Sequence, residues 1–529
     1  MIRDFASLQN RHFDLLVCGG GVYGAWTAYD AALRGLKVVI VEQGDWANAT
    51  SSASSKLIHG GLRYLETYDF KLVSKSLKER KMLLHIAPHR VWPLRFGVPI
   101  YTHQRMNRLQ LKLGLALYDF LAGDTDPEMR HSYLNQSQFT EHFPLLNEHA
   151  LKGGFTYTDA QTDDARLVLE LIAGAMEAGA SCINYCRLLS LLETNGKAHG
   201  AIIRDQLTQT EQKISAQQII FTTGQWLAKD AQSREWCRLS KGIHLVMPAA
   251  LKDEALLLTA QPDGRIFFMI PWYGLTLLGT TDTDFKGNPE QVTIDDSDIT
   301  YLLAAANDYL KTPWTRTDIL GYFAGVRVLR QNTQPSSPGS PSAISRDWEL
   351  KSAPNGVHYA IGGKITSSRQ DAAHIVDTVC SQLGISMPCA TQGRWLPWAP
   401  QENFPAWFSC MQNQAARLGI DAESARWLLH RHGTRTPEIY RRIETKADLA
   451  QRIIPSLPFI YADLMHCANA EMVIHLDDLL RRRLPLLILA RLTQNELRQI
   501  ALRVASTMNW DDTRTHQEVE HCHRQWIIH

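Results

Sequence analysis

The first residues with the types and spacing to do chemistry are Gly19, Gly21 and Gly24, in the run Gly19-Gly20-Gly21-Val22-Tyr23-Gly24. An apolar, strand-like segment, Phe13 to Cys18, precedes them, and a helix-periodic stretch, Ala25 to Leu33, follows. A second apolar strand, Leu36 to Val41, ends at Glu42, 18 positions after Gly24. In this context each glycine has a task. Gly19 permits the tight turn, Gly21 lets the backbone approach a pyrophosphate, and Gly24 lets helix and strand pack closely. The helix N-terminus offers free N–H groups and a partial positive charge to the pyrophosphate, and Glu42 accepts hydrogen bonds from ribose hydroxyls. The expected chemistry is dinucleotide binding.

A second run, Thr50-Ser51-Ser52-Ala53-Ser54-Ser55-Lys56-Leu57-Ile58-His59-Gly60-Gly61-Leu62-Arg63-Tyr64-Leu65, puts small hydroxyl residues ahead of paired glycines. Such a run suits a loop whose backbone and hydroxyls line a bound polar group. Ile219 to Gly224 ends a strand in glycine, as a second cofactor-facing turn would. The segments 325–329, 345–347 and 361–366 then return the chain to the cofactor. Two tempting motifs fail. Asp282 to Gly287 starts like a calcium loop, but Lys286 takes a ligand position and Thr293 stands where the closing Glu belongs. His516, His521, Cys522 and His523 fit no standard metal spacing, and no metal is expected.

The elements that must position these residues fill a chain of 529 residues, enough for two or three domains. The balance of 55 basic to 54 acidic side chains argues against nucleic acid as a partner. Nine scattered cysteines without a CxxC pair read as free thiols in a reducing compartment. Met1 to His12 has no apolar core of a secretory leader, and no apolar run is long enough to span a bilayer. From 241 to 285 the pattern is β-rich and antiparallel, which predicts a substrate domain inserted between halves of a nucleotide domain. The proline-bearing stretch Cys389 to Pro405 marks a linker, and 406–529 is helix-periodic. Two amphipathic helices are expected, over 69–86 and 105–121. The first carries Lys71, Lys75, Lys78, Arg80 and Lys81; the second sets Met106, Leu109, Leu113, Leu117 and Phe120 against Arg105, Arg108 and Lys112. A basic amphipathic helix suits a membrane surface, and an apolar face turned to the core is the competing reading.

Taken together, Gly19 to Gly24 and Ala49 to Leu65 resemble the flavin-dependent, quinone-linked glycerol-3-phosphate dehydrogenases of the aerobic type. Asp163 to Val168, Lys241-Gly242 with His244, Gly279 to Asp282, Gly325 to Arg327, Ile344 to Asp347, Gly362 to Lys364 and Glu471 to Arg483 extend the resemblance over nearly the whole chain. Ile243, Val328, Ser367-Ser368 and Gln225 depart from the family's usual Ser, Pro, Thr-Tyr and Pro.

The resemblance implies an α/β fold: an FAD-binding Rossmann-like domain of the glutathione-reductase type, an inserted antiparallel β-sheet substrate domain and a C-terminal helical domain. The oxidoreductase region would be 1–388, with FAD-binding segments near 12–75, 150–240 and 320–388 and substrate segments near 76–149 and 241–319. A linker, 389–405, and the helical domain, 406–529, would follow. FAD would be held by Gly19, Gly21, Gly24, Glu42, Thr50, Ser51, Ser52, Ser55, Lys56, His59, Gly60, Gly61, Leu62, Gly224, Gly325, Gly363, Lys364, Ile365 and Thr366. Arg63, Tyr64, His244, Arg327, Arg346 and Lys364 would bind sn-glycerol 3-phosphate. His244 would take the hydroxyl proton during hydride transfer to FAD, and Arg327 or Lys364 would stabilise the alkoxide. The product is dihydroxyacetone phosphate. Electrons would pass to a quinone, from an enzyme in the cytoplasm bound peripherally to the inner membrane; a homodimer is counted among the partners. Two other readings stay open: an oxygen-using oxidase of a hydroxy or amino acid, and a catalytically silent flavoprotein.

Overall fold

The computed structural model describes residues 1–66, 68–102, 108–331 and 347–526. It opens, after a short turn, with strand β1 (His12–Cys18), helix α1 (Val22–Leu33) and strand β2 (Val38–Val41). Every residue of β2 is buried, as in a parallel strand covered on both faces. The elements used below follow in order: α2 (Phe70–Ile86), β3 (Val91–Tyr101), α3 (Arg108–Ala122), β4 (Leu151–Thr162), α4 (Asp164–Glu177), β5 (Glu211–Phe221), β6 (Cys237–Met247) and β7 (Gly321–Arg330).

An eight-stranded sheet carries the dinucleotide turn. Along it lie Glu349–Ser352, His358–Ile361, β5, β1, β2 and Ser181–Ile183, and a hairpin of Cys186–Thr194 and Lys197–Asp205 joins β5. Its centre is parallel, with Leu16 beside both Ile219 and Val39. The turns after β1 and β5 therefore open at the same sheet edge. A mostly antiparallel, ten-stranded sheet faces it. There β6 pairs with β7, setting Gly242 opposite Gly325 and Ser240 opposite Arg327.

Sheet membership cuts across the expected segments. Strands β4 and β7 belong to the ten-stranded sheet, although 150–240 and 320–388 were assigned to FAD binding. Alternation along a strand says which residues are buried, not which sheet supplies the neighbour. Strand β3 has no counterpart among the expected strands because Pro93 and Pro99 interrupt its pattern.

The C-terminal region is helical, from Phe404–Arg417 to Asp512–Trp526. Within the helix-periodic stretch 406–529, the chain between Glu471 and Leu484 makes a single turn, Leu476–Asp478, and a wider turn, Leu479–Arg483. This aims Arg482 and Arg483 at the Asp45 carboxylate. Buried ion pairs fasten the region to the rest: Arg166 with Glu471, Arg483 with Asp45, and Arg90 with Glu170, whose other oxygen accepts the Trp398 N–H. The stretch 389–405 is accordingly packed, with Leu396, Trp398 and Ala399 buried. Proline marks the loss of repeating structure, not exposure. Among the described residues, no helix is long and apolar enough to cross a membrane.

Candidate active site

Between the two sheets lies a cavity of about 900 Å³. Gly19, Gly21, Glu42, Thr50, Ser51, Gly224 and Gly325 line it, so the turns after β1, β2 and β5 meet there. Glu42 accepts the N–H of Gly20 at 2.6 Å and that of Gly44 at 2.8 Å, which pins the turn to the end of β2. Ser51 accepts the Val22 N–H at the start of α1 at 2.9 Å, tying the serine loop to the helix N-terminus. Gly24 does not line the cavity. A Cβ there would lie 1.9 Å from the Gly19 carbonyl oxygen, so its hydrogen is what allows helix and turn to touch.

The loop 50–56 is anchored from beneath. Thr50 donates to the Val326 carbonyl at 2.6 Å, and Ser54 donates to Asp164 through both its N–H and its hydroxyl. Lys56 is 2% exposed and pairs with Asp164 at 2.5 Å, so it faces the interior rather than the cavity. Ser52 lines a different cavity, and Gly60 lies behind His59. The Gly60 N–H donates to Tyr118 at 2.9 Å, and Tyr118 donates to Asp159, which also pairs with Arg80 at 2.8 Å.

Arg63, Tyr64, Arg327 and Lys364 meet in the cavity, together with His59, Gly61, Leu62, Ser55, Gly363, Ile365 and Thr366. The Lys364 ammonium lies 3.8 Å from the centre of the Tyr64 ring, and Arg63 covers the same ring at 4.8 Å and donates to its hydroxyl. Arg327 donates to Thr280 at 2.8 Å. Its guanidinium occupies space that only glycine at 242 leaves: a Cβ there would be 2.4 Å from both terminal nitrogens. Tyr23 accepts the Lys364 N–H and donates to Asp371 at 2.6 Å, and Asp371 also pairs with Lys75. Tyr23, Asp371, Tyr118 and Asp159 carry no motif that points to these contacts. Only the pairing of distant elements brings them in.

His244, the expected base, lies behind the cavity wall. It is 1% exposed, stacked on Phe323 at 4.8 Å, and touches cavity-lining Ser55, whose hydroxyl lies 2.9 Å from Nε2. Burial, with the charges of Arg327 and Lys56, holds its pKa well below the ordinary histidine range. The histidine that lines the cavity is His59, whose N–H donates to Thr366. Arg346 lies outside the described residues. Two buried groups sharing His432, one with His466 and Glu471 and one with Asp463 and Cys467, bring possible metal-ligand atoms within 4.8 Å of one another. Arg166 already holds Glu471 and Arg431 holds Asp463, so both groups are parts of an ion-pair network.

Two sheets enclosing a glycine-lined dinucleotide groove, with cations gathered in the same cavity, define a dinucleotide-dependent oxidoreductase. The family model for FAD dependent oxidoreductases matches residues 14–369, and that for the C-terminal domain of alpha-glycerophosphate oxidase matches 398–515. A glycerol-3-phosphate dehydrogenase of a Synechocystis species is 36% identical, with 91% of this chain and 90% of that protein covered. The structure of the Bacillus halodurans glycerol-3-phosphate dehydrogenase complexed with FAD superposes with a TM-score of 0.79 at 28% identity, over 98% of this chain and 95% of that one. An L-alpha-glycerophosphate oxidase from Mycoplasma pneumoniae, 19% identical, shares the fold with a TM-score of 0.56 over 73% of this chain and all of its own. The chain belongs to the FAD-dependent oxidoreductases and, within them, to the glycerol-3-phosphate dehydrogenase family. FAD is its cofactor, and the groove between Gly19, Glu42, Ser51 and Gly224 fits such a group.

Proposed function

We propose that the protein oxidises the secondary hydroxyl of sn-glycerol 3-phosphate, giving dihydroxyacetone phosphate, and passes the electrons to a membrane quinone. The observation that carries this reading is the gathering of Arg63, Arg327 and Lys364 with His59 in the cavity that holds the dinucleotide groove. A phosphate dianion leaving water needs several fixed cations, and guanidinium groups bind it in bidentate fashion. FAD, when bound, supplies the hydride acceptor. Arg327, held by Thr280, and Lys364, held over Tyr64, orient the substrate and offset charge developing on its oxygen. His59 takes the hydroxyl proton, because it lines the cavity and His244 does not. His244 positions the Ser55 hydroxyl. Anaerobic titration of the yellow protein with glycerol 3-phosphate should bleach the flavin absorbance and release dihydroxyacetone phosphate. Intact absorbance at saturating substrate would refute the reaction.

The quinone reading draws support from α3. Its stripe of Leu109, Leu113, Leu117 and Phe120 is 65%, 62%, 36% and 80% exposed, whereas Leu111, Leu115 and Tyr118 face inward. Exposed Tyr68 and Phe70 lie at the start of α2, which packs on α3. Exposed Lys71, Lys78, Arg108 and Lys112 add positive charge to the two helices. Lys75 and Arg80 are inward ion-pair partners, contrary to their expected surface position. An apolar stripe with neighbouring cations suits anionic lipid at the bilayer surface, where a quinone is reached. Wild-type protein should sediment with vesicles containing phosphatidylglycerol at low salt, and Leu113→Glu with Phe120→Glu should stay in the supernatant. A wild type that stays there as well would reject membrane docking. Peroxide formation without quinone would make oxygen the acceptor.

A further inference from the structure

A second cavity, of about 820 Å³, lies between the C-terminal helical region and the far side of the flavin loop. Ala49, Ala53 and Gly325 belong to the wall that the two cavities share, and Arg187, Trp226 and Glu290 also line both. That wall is closely packed: a Cβ on Gly325 would lie 2.9 Å from Ala53.

The second cavity is lined by Arg187, at the start of the strand Cys186–Thr194 of the nucleotide sheet, and by Arg481 and Arg491 of the C-terminal region. Among the described residues, none of the three has a carboxylate oxygen within 4.0 Å. Their neighbours Arg482 and Arg483 differ, since Asp45 and Asp478 hold them. The Arg481 guanidinium sits 3.7 Å from the centre of the Trp526 ring, which fixes it without neutralising it. Burial, with Arg482 close by, outweighs the attraction of Asp477 and pulls its pKa down to about 10, which expresses the cost of that buried charge. The acids on the same wall have other partners as well, and Asp477 only partly offsets the Arg481 charge. Asp477 accepts the Trp526 indole N–H at 3.2 Å and lies 3.9 Å from His521, while Glu290 lies 3.3 Å from Lys229. A hollow bordered by three guanidinium groups and two indoles, those of Trp226 and Trp526, is built for an anion with a flat or apolar body.

We infer that this second cavity is a binding site for a small, multiply charged anion of the phosphate type, held by Arg187, Arg481 and Arg491. Because the wall is shared with the flavin loop, occupancy and FAD retention are linked, and each ligand changes the affinity of the other by the same factor.

The test is calorimetric titration of the holoenzyme with inorganic pyrophosphate, in the wild type and in Arg327→Gln. The second protein has a weakened substrate end, so binding that survives in it reports the second cavity. Adding Arg481→Gln should weaken that binding about tenfold or more, the usual effect of losing one charge-assisted contact, and leave the flavin spectrum in place. If Arg481→Gln does not fold, Arg187→Gln and Arg491→Gln, both at exposed positions, should each weaken the same binding. Loss of all pyrophosphate binding in Arg327→Gln alone, or undiminished binding in the arginine variants, would overturn the assignment. Bleaching by glycerol 3-phosphate is read separately, so failure of this site and failure of the proposed reaction are distinguishable.

Discussion

Two histidines compete for one role, and burial separates them. His244 is a neutral imidazole across the working pH range, since burial, Arg327 and Lys56 all disfavour its charged form. His244→Asn should therefore leave the pH profile of flavin reduction unshifted, though weaker placement of Ser55 slows it. His59→Asn should slow reduction by about a hundredfold or more, the usual share of a general base. Stopped-flow reduction at several pH values checks both, and the reverse ranking would return the base to His244. Gly242 gives a steric prediction of its own. A methyl group there meets the Arg327 guanidinium, so Gly242→Ala should weaken glycerol 3-phosphate binding about tenfold or more while FAD stays bound. Equilibrium titration of flavin bleaching measures that shift.

Helices α2 and α3 act as props for the loops of the cleft as well as outer surfaces. Arg80 on α2 and Tyr118 on α3 converge on Asp159, and Tyr118 and Asp159 both accept the Gly60 N–H next to His59. Lys75 on α2 reaches Asp371, which holds Tyr23 and through it the Lys364 backbone. The inward polar side chains of the two helices, Lys75 and Arg80 on α2 and Tyr118 on α3, thus position two loops of the site. Removing the hydroxyl in Tyr118→Phe leaves buried Asp159 with one donor fewer. The expected cost is about 1–3 kcal/mol of stability, read as a lower denaturation midpoint with an unchanged far-ultraviolet spectrum. No loss would mean that Arg80 and the Gly60 N–H satisfy Asp159 without it.

The C-terminal region, 398–515, matches a family model of its own, apart from the two-sheet body at 14–369. It is locked on by buried charges, and such locks respond to acid. Burial tends to raise the Glu170 carboxyl, but His89 and Arg90 outweigh it and bring its pKa to about 2. Burial holds His89 itself below its ordinary range, which leaves Arg90 as the permanent charge. A depressed carboxyl contributes stability that is fully present above its unfolded value of 4.5 and is lost as pH falls from there towards about 2. The contribution is on the order of 3 kcal/mol. Glu170→Gln should be less stable at neutral pH and lose less on acidification, as denaturant midpoints across that range would show. Parallel acid curves for the two proteins would remove Glu170 from the lock.

How far the chain could be read in one dimension depended on the range of the interactions. The dinucleotide turn, its flanking strands and helix, and Glu42 sit within some 30 residues, where local geometry alone assigns Gly19, Gly21 and Gly24 their places. The loop from Thr50 to Leu65 and the α3 stripe were legible for the same reason, since composition and helical period are local properties. Which way that stripe faces was not legible: α3 is apolar on both sides, and only packing against α2 and β4 decides that Leu111 and Leu115 are covered while Leu109 and Leu113 are not. Nor was the difference between His59 and His244, both titratable residues inside conspicuous motifs. His244 is sealed off by the pairing of β6 with β7 and by Phe323, contacts made across 79 positions of sequence. Burial is a sum over neighbours brought from far along the chain, and no local pattern contains it.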